Sequence, residues 1–164
     1  MILSLIIVFL AVFIDQLTKF IVSNNMDLYE RIPLIKDVFN ITYTTNDGAG
    51  WSILSGKTAI LIALSSIAIL FIIFVIIKYK PFKIDLISLS MILGGAAGNL
   101  IDRIRPPHEV IDFFDFALIN FPVFNVADIF ITVGGAIFIA NAIFNNKSII
   151  YLFENKKDNN HENN

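Results

Sequence analysis

At 164 residues, 56% hydrophobic and only 16% charged, with a mean hydropathy of +0.74, the chain is too apolar for an ordinary soluble domain and belongs in a membrane. The net charge of −2 adds little, and no nucleic-acid partner is expected. With no cysteine, two distant histidines (His108 and His161) and no GxSxG, thiol chemistry, an HExxH metal site and a serine elbow are excluded, so any enzyme here works through carboxylates and needs no cofactor.

A bilayer core of about 30 Å takes roughly 20 apolar residues of helix to cross. The first run of that kind extends from Ile2 to about Val22, interrupted by Asp15 and Lys19. It lacks the basic start and small-residue cleavage site of a secretory signal and is expected to be a retained span. Next, "VFNITYTT" alternates Phe39, Ile41 and Tyr43 with polar residues, the period of a half-buried strand. "NDG", Asn46 to Gly48, supplies a turn, and "AGWSIL" is expected to return as a second strand with Trp51 at the interface. The second span, Thr58 to Ile77, carries no charge. The third, Leu86 to Ile101, contains "GGAAGN", whose small residues suit close helix packing. The fourth covers about 125–146 and has one charged residue, Asp128, at its head. Irregular backbone cannot face lipid, so the four runs are expected to be helices. The resulting fold class is an all-α membrane protein of four transmembrane helices, in a single domain over 1–146, with a small extracellular β-sheet over about 38–54. Residues 147–164 are expected to form a polar, disordered cytoplasmic tail.

Lys78, Lys80 and Lys83 lie within six residues free of acids, and the tail adds Lys147, Lys156 and Lys157. Basic residues favour the cytoplasmic side, so both termini and the loop near residue 80 are expected there, with 23–57 and 102–123 facing outward.

That topology brings the polar residues to one depth. Asp15 and Lys19, four apart, share a helix face and suit an internal ion pair. Asn99 and Asp102 end the third span, where the adjacent Arg103 can neutralise Asp102. Asp112 and Asp128 have no cation nearby in sequence. Two apposed carboxylates cannot both ionise and tend to share a proton, which provides a base to activate water and an acid to protonate a peptide carbonyl. The same carboxylates could instead relay protons or ions in a small transporter, or serve only helix assembly.

"DQLTK" (Asp15 to Lys19), "NDGAGWSIL" (Asn46 to Leu54), "GGAAGNLIDR" (Gly94 to Arg103), "VIDFFD" (Val110 to Asp115) and "FPVFNVAD" (Phe121 to Asp128) resemble, in order and spacing, the bacterial lipoprotein signal peptidase family, signal peptidase II. The resemblance covers about residues 13 to 140. It implies an intramembrane aspartic endopeptidase of the bacterial cytoplasmic membrane, with its site near the outer face. Its substrates would be prolipoproteins whose cysteine carries a diacylglyceryl group, its other partners membrane lipids, and its state a monomer. Carried over, the catalytic pair falls on Asp112 and Asp128. The positions that hold the site and substrate fall on Asp15, Lys19, Asn46, Gly48, Asn99, Asp102, Arg103 and Asn125. A small outer sheet and a mobile outer loop are also implied. The chain departs from the family's common residues at Thr45, Gly50 and Ile129, which bears on hydrogen bonding around the pair and on contacts to substrate lipid.

Overall fold

The computed structural model describes residues 1–48, 54–119 and 121–144. Four helices are long and apolar enough to cross a membrane: α1 (Ile2–Asn25), α2 (Thr58–Tyr79), α3 (Lys83–Ile104) and α4 (Val126–Phe144). In hydrocarbon each backbone N–H and C=O must be satisfied within its own segment, which is why these apolar runs are helical despite their β-branched residues and glycines. α2 is apolar around its whole circumference and mostly faces outward, as a helix with lipid as its main neighbour does. A left-handed residue, Lys80 (φ 45°), stops it, and its N–H closes on the Ile76 carbonyl. Pro81 follows, and α3 turns back alongside.

α3 is the hub, half buried, with α1, α2 and α4 all packed on it. Its small residues set the spacing. A Cβ on Gly94 would stand 2.6 Å from the Ala11 methyl of α1, and one on Gly98 would stand 2.5 Å from the Asp15 carboxylate. Gly95 lies against the backbone of α4 at Ala127, and Gly134 of α4 against the Ser88 carbonyl of α3. Gly135, although next in sequence, faces open space. The helix–helix contact in α4 therefore rests on one of its two glycines.

At the end of the bundle where α1 stops and α4 starts lies a three-stranded antiparallel sheet: β1 (Arg31–Ile35), β2 (Phe39–Asn46) and β3 (Val110–Asp115), in that spatial order. The alternation in β2 is visible as a strand, but both its partners differ from the one expected. β1 precedes it as a hairpin, and β3 arrives from the α3–α4 connection. Of the expected return strand, only Leu54 is described, in a turn; 49–53, Trp51 among them, and the tail from 145 lie outside the described residues. Opposite β3, one extra residue between Ile41 and Thr44 bulges β2 and brings Thr44 across from Asp112. Asp115 ties the three strands: its Oδ2 accepts from Asn40 Nδ2 (3.1 Å), Thr42 Oγ1 (2.8 Å) and the Arg31 guanidinium (3.1 Å). Phe113 carries the sheet onto the helices by packing with Val22 of α1 and Val126 of α4.

Gly94→Ala is expected to lower stability by about 1–3 kcal/mol through overpacking against α1. Gly135→Ala should leave stability unchanged or raise it by up to about 1 kcal/mol. Thermal unfolding in detergent checks both.

Candidate active site

The site is built outward from a buried ammonium. Lys19, 2% exposed, directs its three N–H donors at Asp15 Oδ2 (2.9 Å), Asp102 Oδ2 (2.7 Å) and Asn99 Oδ1 (2.9 Å). That set uses every donor an ammonium has. Asp15 and Lys19 share one face of α1, one turn apart, while Asn99 and Asp102 share one face of α3, so two helix faces meet through one cation. Gln16 Nε2 joins them, donating to Asp102 Oδ1 (2.9 Å), Asp15 Oδ2 (3.2 Å) and the Gly98 carbonyl (3.3 Å). Gln16 is absent from the sequence-based expectations, although an uncharged polar residue inside an apolar run beside Asp15 is a signal for it.

The partner of Asp102 is thus Lys19 and not the adjacent Arg103 expected from sequence. Successive helical side chains diverge by about 100°, so neighbours in sequence do not face each other. Arg103 turns to the sheet side instead, donating to the Gly48 carbonyl (2.8 Å) and to the Asn99 carbonyl (3.3 Å). It lies near enough to attract Asp128, Asp112 and Asp102. Its field thus reaches the two carboxylates that look uncompensated in sequence, while its hydrogen bonds among the described residues go to backbone carbonyls. His108 Nδ1 lies 3.0 Å from the Arg103 carbonyl, at the end of that helix.

α4 begins inside this cluster. Asp15 Oδ1 accepts the Ala127 N–H (2.9 Å), so a carboxylate of α1 sits at the positive end of α4. Asn125 and Asp128 cap each other. Asn125 Oδ1 accepts the Asp128 N–H (3.0 Å), and Asp128 Oδ2 accepts the Asn125 N–H (3.1 Å), an N-x-x-D form of the capping box. The other oxygen, Asp128 Oδ1, accepts from Asn99 Nδ2 (2.8 Å).

Asp112 comes from β3, and Asn125 links it to α4. Asn125 Nδ2 donates to Asp112 Oδ1 (2.6 Å), to Asn99 Oδ1 (3.0 Å) and to the Ile111 carbonyl (3.3 Å). From β2, Asn46 Nδ2 reaches Asp112 Oδ2 (3.3 Å), while Asn46 Oδ1 accepts the Gly48 N–H (2.9 Å) and shapes the turn. Phe124 exchanges backbone hydrogen bonds with Phe114 and so fixes "FPVFNVAD" to β3. Burial, and after it the charge of Asp128, push the Asp112 carboxyl up to about 7, against the opposing pull of Asn46, Asn125 and Lys19.

Asp112 and Asp128 line one cavity of about 470 Å³ together with Asn46, Asn99 and Arg103. Its remaining wall is Val110, Phe121–Phe124 and the α4 residues Ile129, Thr132 and Val133, so polar groups gather at one end of an otherwise apolar cleft. Arg103 Nε is buried there and has no hydrogen-bond partner among the described residues. Asp15, Lys19 and Asp102 stand behind the cavity and brace it. Among the described residues no three of His, Asp and Glu are grouped to hold a metal ion. A proton-sharing carboxylate pair in an apolar cleft can activate water against a carbonyl.

A model of the family described as signal peptidase (SPase) II matches residues 7–144. The lipoprotein signal peptidase of Brevibacillus brevis is 41% identical over 135 residues, covering 82% of this chain and 90% of the relative. That of Halothermothrix orenii is 37% identical over 152 residues, covering 93% and 96%. Two solved bacterial membrane enzymes superpose with TM-scores of 0.81 and 0.78, at 33% and 32% identity. The alignments cover 85% and 87% of this chain, and 87% and 93% of theirs.

Lys19→Met is expected to leave Asp15 and Asp102 buried without their cation and to destabilise the protein by about 3–5 kcal/mol. Unfolding monitored by far-UV circular dichroism checks this, with Lys36→Met on an exposed segment as the neutral comparison.

Proposed function

The chain belongs to the signal peptidase II family, a multi-pass membrane peptidase of lipoproteins, and from that premise we propose that Asp112 and Asp128 form its catalytic pair. The substrates proposed are prolipoproteins already carrying a diacylglyceryl group on the cysteine, and the product step is removal of the signal peptide. The observation that carries the pair is that both carboxylates line one cleft and are bound by the same asparagine, Asn125.

In the proposed mechanism Asp128, ionised and held by two N–H donors, takes a proton from water as that water attacks the scissile carbonyl. Asp112, protonated, donates to the carbonyl oxygen, a role suited to an acid raised to about 7. As the tetrahedral gem-diol collapses and the C–N bond breaks, Asp128 passes its proton to the leaving amine nitrogen and Asp112 takes a proton back from a gem-diol hydroxyl, which restores the pair. Asn99, Asn125 and Asn46 hold the pair, and Arg103 with Gly48 closes the polar end over substrate. Asp15, Lys19 and Asp102 support them from behind. The apolar wall from Phe121 to Val133 suits the hydrophobic signal segment and acyl chains. The reading includes a bacterial cytoplasmic membrane location, both termini cytoplasmic, a site near the outer face, and a monomer whose single domain spans 1–146.

Purified protein should cut a diacylglyceryl-modified precursor and leave the unmodified precursor largely uncut. Asp112→Asn and Asp128→Asn should each lower kcat by at least about a hundredfold while the melting transition persists; activity retained in either would remove that residue from the pair. The pH dependence has a definite sign. The acid form of Asp112 in the free enzyme is depleted as pH rises through about 7, so kcat/KM should fall on that limb.

The same shift opposes folding at high pH. A carboxyl raised above its ordinary 3.8 favours the folded state below 3.8, and that advantage is lost as pH climbs through about 7. Inactive Asp112→Asn should consequently melt higher than the unsubstituted protein at pH 8, by an amount corresponding to at most about 4 kcal/mol, and should lose that advantage at pH 4.

A further inference from the structure

α2 packs chiefly on α3, and no strand of the sheet is among its main neighbours. The segment 54–57 that leads into it is nevertheless tied to the active-site end of the molecule. Among the described residues, every hydrogen bond from 54–57 to a distant part of the chain ends on one side chain, Asp47. Its carboxylate receives the Ser55 hydroxyl on both oxygens (2.7 Å each) and the Gly56 N–H on Oδ2 (2.9 Å). Residues eight and nine positions apart are thereby held side by side.

The returning chain is shaped for this contact. Leu54 (φ 62°) and Gly56 (φ 73°) are both left-handed and flank Ser55, and the Lys57 N–H closes the turn on the Leu54 carbonyl (2.9 Å). A leucine does not adopt that conformation unaided, so surrounding contacts must hold it there. The Ser55 hydroxyl, and after it the Gly56 N–H, keep the Asp47 carboxyl below the usual carboxylate range. Asp47 therefore accepts from both as an anion at neutral pH.

Asp47 also stands between two residues of the cleft. On one side Asn46 Nδ2 reaches Asp112 Oδ2 at 3.3 Å, a long bond that a small displacement of the turn would break. On the other, the buried Gly48 gives its N–H to Asn46 Oδ1 (2.9 Å) and its carbonyl to Arg103 (2.8 Å). Asp47 does not itself line the cavity. It can reach the acids only through the backbone on either side of it.

We propose that Asp47 is a positioning residue of the peptidase cleft: by clasping Ser55 and Gly56 it fixes the turn that holds Asn46 on Asp112 and the Gly48 carbonyl on Arg103. The inference rests on the reading of Asp112 as the acid of the pair. It adds that the approach to α2, which contributes no side chain to the cavity, is part of what sets the geometry there.

Cleavage of a diacylglyceryl-modified precursor by the full chain in detergent, followed as kcat/KM against pH, tests the clasp. D47A should lower kcat/KM by at least about fivefold, and S55A, which leaves the Gly56 bond, by less. D47A/S55A should match D47A, because the two side chains form one contact. The hydrogen bond from Asn46 pulls the Asp112 carboxyl down, so D47A should move the high-pH limb upward. The other charges that face Asp112 are Asp128, Lys19 and Arg103, on helices that the substitution leaves in place. A tie that served stability alone would lower the melting temperature and leave the limb unmoved. Unchanged kcat/KM in D47A, losses that multiply in the double variant, or an unmoved limb would overturn the role. If D47A does not fold, S55A, which removes one exposed hydroxyl, decides by the same two readouts. Asp112→Asn, assayed alongside, separates this inference from the reading beneath it. Activity retained there removes the acid and the clasp's role together, whereas an inactive Asp112→Asn beside an unaffected D47A removes only the role of Asp47.

Discussion

The Lys19 ammonium holds this protein together where hydrophobic packing cannot. Between spanning helices there is little apolar driving force, because lipid is as apolar as the helix faces themselves, so specific polar contacts decide which faces meet. Lys19 brings Asp15 on its own helix and Asn99 and Asp102 on α3 to one point. One cation against two carboxylates leaves a formal excess of negative charge, which is expensive at that depth. The excess is met by the Ala127 N–H at the start of α4 and by the Gln16 amide. A third helix is thereby fixed in rotation and depth by the same cluster. The glycine stripe of α3 complements it, since Gly98 leaves the room that the Asp15 carboxylate occupies.

Two asparagines convert that structural cluster into a positioned pair of acids. Asn99 receives Lys19 and Asn125 on its carbonyl, so its amide nitrogen is turned to Asp128. Asn125 receives the Asp128 N–H on its carbonyl, so its nitrogen is turned to Asp112. Each position needs a donor and an acceptor on one short side chain, which an ionised aspartate cannot supply because it only accepts. Substituting either residue by aspartate would also place a further negative charge against Asp128 or Asp112. Asn46 repeats the device from the sheet, accepting from Gly48 and donating to Asp112.

The helices and the Asp15–Lys19 pair are legible in the sequence because both depend on spacing within one segment. Apolar run length announces a span, and an interval of four places two side chains on one face. The sheet is less legible. β2 alternates because Ile41 and Tyr43 pack on the Val22, Phe113 and Val126 cluster while Asn40 and Thr42, the more buried pair, bond Asp115 on the other face. β3 has Val110, Asp112, Phe113 and Asp115 all buried and shows no clean alternation. Its pairing with β2 joins residues about seventy positions apart, which no local pattern encodes. Adjacency misled where helix geometry ruled, since Asp102 looks paired with Arg103 but is bound to Lys19. Asp128 looks alone for a similar reason: Asn99, one of its donors, lies twenty-nine residues away. Of the pair Gly134 and Gly135, sequence does not say which faces a neighbour; Gly134 does.

Placing one acid of the pair on a strand and the other on a helix has a consequence for how the cleft works. Asp128 is bonded to α3 through Asn99 and capped by Asn125, so it is as rigid as the helix bundle. Asp112 depends on β3 remaining docked, which rests on Phe113 against Val22 and Val126 and on the Asp115 ties across the strands. The separation of the two carboxylates is therefore set by the docking of the sheet on the bundle, with Asn125 as the link between them. The burial that raises Asp112 arises at the same junction, so a sheet that lifted away would wet the carboxyl, return it toward its ordinary range and remove the acid form at neutral pH. In the proposed mechanism acid strength and geometry are then controlled by one contact, and a substrate that fills the apolar wall from Phe121 to Val133 reinforces both by excluding water from that junction.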